Sequence, residues 1–298
     1  MNNANQIIRL QFRRRQAAHS WVAGGALLTV LFCLNTWAPD ALATKLQPAT
    51  AQAWDRYLQC ADNRVQRELS DPHAFLVEDF FPPQERAAVK RRLESGEIVV
   101  KRMPSPVPKD ERFAIWDGEI HHWWGAILVP GAKLPELLKF LQDYDHHAGK
   151  FADVERSRLL SRDGNRYCFF FRLKRSKAFV TAIYNTEQEC VYTVHSATRE
   201  SSRSVATRIA EVDDPGTPAE REKPPGDDRG FMWRLVSWWR FEQTDRGVIV
   251  ELESASLSRD IPTIVKLIPY LSNYIRSTPR ESLESILRTI RNYGQSPH

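Results

Sequence analysis

The chain has 298 residues, 42% hydrophobic and 27% charged, which excludes disorder throughout and suffices for one large domain or two small ones. Its formal charge is +5, but Arg9, Arg13, Arg14 and Arg15 against Asp40 put +3 of that in residues 1–43, leaving +2 for the rest. Without a focused basic face, nucleic acid is not an expected partner.

Residues 1–43 read as a signal peptide. The arginines form a positive n-region, Trp21 to Leu34 an apolar h-region, and Ala41-Leu42-Ala43 a small-x-small cleavage site, so cleavage after Ala43 would make Thr44 the first mature residue. The alternative is a retained membrane anchor, although the apolar run is short for a span of about 20 residues. The arginines lack a twin-arginine continuation, and bulky Phe32 before Cys33 argues against a lipoprotein site. The expected location is exported and periplasmic. Cys60, Cys168 and Cys190 then remain. Cys168 and Cys190 are expected on strands separated by a third, too far apart to bond, with a bond to Cys60 left open.

Residues 48–70 read as a helix, with Trp54, Tyr57, Leu58, Ala61, Val65 and Leu69 at spacings of three and four and Asp71-Pro72 as the stop. A more basic helix follows over 84–95, then a short strand over 97–103. The Pro-rich run MPSPVPKDE looks like a linker, so 44–110 reads as a small helical N-terminal segment and 111–298 as the main domain. Ile120 to Val129 has strand length, Pro130-Gly131 turns the chain, and Leu134, Leu137, Leu138, Leu141 and Tyr144 mark one face of a helix. Strands are then expected at 154–160, at 167–173, at 178–186, at 189–198 and at 204–212, with a polar turn at 174–177. Residues 213–230 form a long polar loop, read as disordered without a role. A last hairpin spans 231–257. Thr278-Pro279-Arg280-Glu281 caps a final helix with the stripe Leu283, Ile286, Leu287 and Ile290, ended by Gly294.

The result is an α+β order: strand, helix, about six antiparallel strands, long amphipathic helix. IHHWWGAILVPGAKLPELLKFLQDYD (120–145), FMWRLVSWWRFEQTDRGVIVELESASLSRDIP (231–262) and STPRESLESILRTIRNYG (277–294) resemble the START-like (helix-grip, SRPBCC) superfamily over about residues 112–294, and within it an exported bacterial subgroup. The resemblance implies a curved antiparallel sheet around a long C-terminal helix, with an apolar cavity between them for a lipid or an isoprenoid or polyketide-like compound. It leaves residues 44–110 unexplained.

The histidine doublets His121-His122 and His146-His147 do not make a metal site. Strand neighbours point to opposite faces and helix neighbours stand about 100° apart, so each doublet offers one ligand at most, short of the three that zinc catalysis needs. The expectation is that the first pair opens an edge-ward part of its strand, and that the second sits near a helix end as a favoured cation. No GxSxG or phosphate loop is present, and His195 lies on the face opposite Cys190, so no catalytic residue, metal or cofactor is expected. In the last hairpin Trp233, Leu235, Ser237, Trp239 and Phe241 share one face, and Arg234, Val236, Trp238, Arg240 and Glu242 the other. Either the second face is an outer one with Arg against Glu across strands, or Arg234 or Arg240 enters the cavity to meet an acidic head group. The expected ligand wall is Tyr167, Phe169, Phe171, Trp239, Phe241 and Trp124, with the C-terminal helix as lid. The expected partner is a hydrophobic small molecule or lipid, with transient membrane contact. A cyclase- or hydrolase-like enzyme, and a protein-binding role through 44–110, remain as alternatives.

Overall fold

The computed structural model describes residues 44–109, 111–177, 180–224, 227–260 and 276–295. Residues 1–43, read above as a signal peptide, lie outside the described residues with Cys33, as do Asp110 and Ala178. Helix α1 (Pro48–Leu69) begins on a proline, which lacks only an N–H that would have no partner there, and buries Thr50, Trp54, Tyr57, Ala61 and Val65 along one stripe. A 3₁₀ turn (Val77–Phe80) leads to α2 (Pro83–Glu94). The short pairing β1 (Thr44–Lys45) with β9 (Asp227–Asp228) ties the start of this segment to the long polar loop.

The main sheet has the order β2-β3-β11-β10-β7-β6-β5-β4, all antiparallel. Its strands are β2 (Val99–Arg102), β3 (Gly118–Pro130), β4 (Val154–Asp163), β5 (Arg166–Lys177), β6 (Val180–Ser196), β7 (Arg199–Asp213), β10 (Arg234–Thr244) and β11 (Gly247–Arg259), with β8 (Arg221–Glu222) on the end of β7. Register shifts between Leu159 and Ser161 and between Glu187 and Gln188 add twist, as bulges do, and help the sheet curl. Helix α3 (Leu134–Gln142) closes one end of the concave face, and α4 (Thr278–Gln295) lies in its grip. The hydroxyl of Ser277, one residue before the expected cap, donates to Glu281 at the start of α4. No described helix is long and apolar enough to cross a membrane.

Several expectations change. The strands at 178–186 and 189–198 are one strand, β6, and residues 174–177 continue β5 rather than turning, because nothing in either run breaks the ladder. Cys168 and Cys190 lie on adjacent strands. Cys190 stands opposite Tyr167, so the pleat turns Cys168 to the other face, and Cys60, Cys168 and Cys190 are all free thiols. The loop after β7 is anchored: Asp228 accepts from Gly230 N (2.6 Å) and Trp233 Nε1 (3.1 Å), and Glu211 accepts from Arg229 N (2.8 Å).

The largest change concerns 44–110. It is no separate segment, since residues 44–298 form one compact unit and this stretch covers the convex face of the sheet. Trp54, Ala61 and Val65 pack on Val236, Trp238, Ala255 and Leu257, while Val77, Val89 and Leu93 pack on Trp124, Ala126 and Leu128. The apolar stripe of α1 is therefore covered by the protein's own sheet.

Between these layers runs a seam of buried charge. Arg240, Glu251, Glu253 and His122 are each 1–2% exposed. Arg240 bonds the Glu68 carboxylate and donates to Phe75 O at 2.8 Å. Glu251 accepts from Val77 N (2.6 Å) and Glu78 N (3.1 Å). His122 Nε2 meets Glu253 Oε1 at 2.6 Å, and its Nδ1 meets Tyr57 OH at 2.8 Å. Arg64 joins Glu253 to Glu68. Arg240 thus turns away from the concave face, and its carboxylate partner is on α1; Glu251 stands opposite it in register. The doublet does lie where β3 runs out towards an edge: β2 pairs only with Trp123–Ala126, Met103 N donates to His122 O at 2.9 Å, and before that β3 is paired with β11 alone among the described strands.

Burial pushes the Glu78 carboxyl up to about 7 and that of Glu251 up to about 8. Folded values above the ordinary carboxylate range mean that the contribution of these groups is complete at acid pH. It is lost as pH rises from that range through 7 and 8. Glu78→Gln removes part of this loss. Urea unfolding is expected to show the variant equal to wild type near pH 4, and more stable by on the order of 1 kcal/mol near pH 8.

Candidate functional site

The concave face is defined by where α4 approaches. A Cβ at Gly125 would lie 2.4 Å from Leu283 Cδ2 and 2.7 Å from Leu287 Cδ1, so glycine is what lets the helix lie on β3. Gly294 does the same at the far end of the helix, where a Cβ would meet Val129 Cγ1 at 2.0 Å. Every second residue of β3 shares the face of Gly125: His121, Trp123, Ile127 and Val129. Across the sheet this face continues through Leu252 and Ser254 on β11, Ser237, Trp239 and Phe241 on β10, Ser202 and Ser204 on β7, Cys190 and Tyr192 on β6, and Tyr167, Phe169 and Phe171 on β5. The far strands curl back to α4, where Asp153 accepts from both Arg175 (2.8 Å) and Ser282 (2.8 Å).

The two ends of this interior differ. Towards α3 it is solid. Tyr144 stacks on Phe169 at 3.9 Å, Phe140 stacks on Tyr293 at 3.8 Å, and Tyr144 OH meets Tyr192 OH at 3.1 Å. His147 belongs to this packing and is no helix-end cation: rings of Phe140, Tyr144, Phe151 and Phe171 surround it, and burial drives its pKa down to about 4. Burial likewise pushes the Cys190 thiol up to about 11, which leaves it an unreactive thiol. Towards the start of β3 the face loosens. Trp123, Trp239, Leu235, Phe171, Ser237, Ser254 and Ser256 are only partly buried. Small hydroxylated residues occupy positions where the closed end carries Val250 and Phe241. At the rim Glu119 pairs with Arg276 and His121 Nε2 meets Ser258 Oγ at 3.1 Å. Burial lowers the pKa of His121.

Of the expected wall, Tyr167, Phe169 and Phe241 lie in the packed end, at most 3% exposed, while Phe171 and Trp239 border the looser part. Trp124 is on the opposite face, fully buried, with its ring 5.1 Å from that of Phe81. It is Trp123 that faces inward. The signal was in the sequence: Trp123 is in phase with Gly125, and a glycine in a strand interior marks the close approach of another element. Ser237 and Ser254 were also legible, as small polar breaks in the aromatic hairpin.

The architecture is a helix grip, one curved antiparallel sheet closed over a C-terminal helix, which is the arrangement that the START-like resemblance implies. Similar solved structures include the STAR-related lipid transfer protein from Xanthomonas axonopodis, at 14% identity and TM-score 0.42, covering 60% of this chain and 94% of that one. Another is the human StarD13 lipid transfer and protein localization domain, at 10% identity and TM-score 0.40, covering 73% and 100%. A third is the Zhui aromatase/cyclase from Streptomyces sp. R1128, at 10% identity and TM-score 0.39, covering 59% and 94%. No protein-family model and no curated protein sequence matches the chain. These are likenesses of fold, and no residue role passes from them to this chain.

The contact at Gly125 sets a test of the grip. Gly125→Ala must displace Leu283 and Leu287, and overpacking of this kind costs about 1–3 kcal/mol. Denaturant unfolding is expected to show that loss, and hydrogen exchange to show faster opening of 278–295.

Proposed function

We propose that this protein binds a hydrophobic small molecule between the sheet and α4, and that it does so as an exported, periplasmic protein. The observation that carries the ligand reading is the partial exposure of Trp123, Trp239, Leu235 and Phe171 beside the small residues Ser237, Ser254 and Ser256, on a face whose other end is fully packed. Apolar surface left open inside a grip gains about 25 cal/mol for each Å² that a ligand covers. The export reading rests on the n-region, h-region and Ala41-Leu42-Ala43 pattern of residues 1–43. The face is built to hold an apolar body, and the N-terminal helices are already engaged with the sheet. Binding within the grip therefore fits the geometry better than a protein-docking role for 44–110.

The full-length gene is expressed in a bacterial host, and the protein is recovered from the periplasmic fraction. N-terminal sequencing is expected to begin at Thr44, and solvent extraction with mass spectrometry to release a bound apolar compound. Ser237→Trp, which fills the loose end, is expected to lower the extracted amount at least ten-fold while leaving the melting temperature within a few degrees. Extracts that stay empty, together with no uptake of an apolar fluorophore, would sink the ligand reading. Retention of the protein in the cytoplasm would sink the export reading alone.

A further inference from the structure

The loose end of the concave face has a chemistry of its own, which rests on the ligand reading above and narrows it. One cross-strand row runs Trp123, Ser254, Ser237, Ser204 and Cys190, each standing opposite the next in register on β3, β11, β10, β7 and β6. Side chains directly opposite in a ladder have Cβ atoms about 5 Å apart, so the hydroxyls follow one another as a polar lane through an apolar wall. Ser204 Oγ continues it by donating to Gln188 Oε1 at 3.3 Å, and Gln188 Nε2 donates to Thr186 Oγ1 at 3.2 Å. At the head of the lane, the Nε1–H of Trp123 is sealed from solvent and has no hydrogen-bond partner among the described residues. A buried donor left unpaired is costly, and the indole can only donate.

We propose that the molecule held in the grip carries a neutral hydrogen-bond-accepting oxygen of the ketone, ester or quinone type. Trp123 Nε1 receives this oxygen with help from the hydroxyls of Ser254 and Ser237, and the apolar remainder lies along Trp239, Leu235 and Phe171. Neutrality follows from the surroundings. A carboxylate at a sealed indole would need a cation beside it. Arg175 is held by Asp153 and Glu281, and Arg276 by Glu119. Arg102, opposite Trp123 on the edge strand, is exposed to solvent. The lane itself offers only neutral donors.

The test uses purified mature protein and three probes of equal chain length: a medium-chain methyl ketone, the alkane and the fatty carboxylate. Protein-bound probe is quantified by gas chromatography after equilibrium partition. The ketone is expected to bind about ten-fold tighter than the alkane, as one added neutral hydrogen bond to an otherwise unpaired donor would give. Trp123→Phe keeps an aromatic ring in the wall without the N–H and is expected to erase that preference, so that ketone and alkane bind alike. The double variant Ser237→Ala/Ser254→Ala is expected to reduce it in part. Equal binding of ketone and alkane by wild type, or a preference that survives Trp123→Phe, overturns the proposal while leaving the hydrophobic-ligand reading intact. Carboxylate binding tighter than ketone overturns the assignment of a neutral oxygen. Binding of no probe at all overturns the parent reading.

Discussion

A sheet with two faces that both shun water must be covered twice, and the rest of this structure depends on how that is done. On β3, β10 and β11 neither face is a solvent face. The concave side carries Ile127, Val250, Leu252 and Phe241; the convex side carries Trp124, Trp238 and Leu257, together with Arg240, Glu251 and Glu253. Helix α4 covers part of the first, and residues 44–110 cover the second. The convex cover is held by more than apolar contact. Arg240 reaches Glu68 on α1 and the carbonyl of Phe75, while Glu251 caps the amides of the 3₁₀ turn. Replacing one member of such a seam strands another, and a buried charge without its partner costs about 3–5 kcal/mol. The seam therefore fixes where the N-terminal cover sits in a way that apolar contact alone would not, because burial has no direction.

With the convex cover fixed, the functional asymmetry falls to the concave side. At its closed end aromatic rings stack at contact distance. At its other end the same strands carry serines and partly exposed tryptophans. That contrast comes from side-chain size along continuous strands. Phe241 and Ser237 belong to the same face of β10, as do Val250 and Ser254 of β11. Gly125 and Gly294 then set how near α4 can come. An element seated on two glycines is held by fit along its length.

How much of this was legible follows from what is local. The strand and helix periods of β3, α3, β10, β11 and α4 stood in the sequence because each pattern is complete within one element. The pairing of Arg240 with Glu68 did not, since the partners lie 172 residues apart and nothing in either stretch names the other. The same holds for Asp62, which accepts from Trp238 Nε1 and Arg203. The cover by 44–110 was hidden for this reason: α1 reads as an amphipathic helix whatever it packs on. Trp124 was misplaced because a one-residue choice of phase moves every side chain to the other face. Alternation alone cannot make that choice in a strand buried on both sides. Gly125 could have, as a residue whose missing side chain implies a neighbour.

The distribution of charge gives the two faces different capacities. Carboxylates and guanidinium groups are gathered on the convex side, where Glu251 is held by backbone amides and Glu253 by His122 and Arg64, and the helices exclude water from them. The concave face carries hydroxyls, an indole donor, a thiol held protonated by burial, a histidine at the rim whose pKa burial lowers, and opposite Phe241 the Glu200 carboxyl, which burial pushes up. The alternating pleat that separates Trp123 from Trp124 and Trp239 from Arg240 therefore also separates the two tasks of the sheet. One face secures the fold through paired charge, and the other gathers the hydroxyls and aromatic rings on which the proposed ligand would lie.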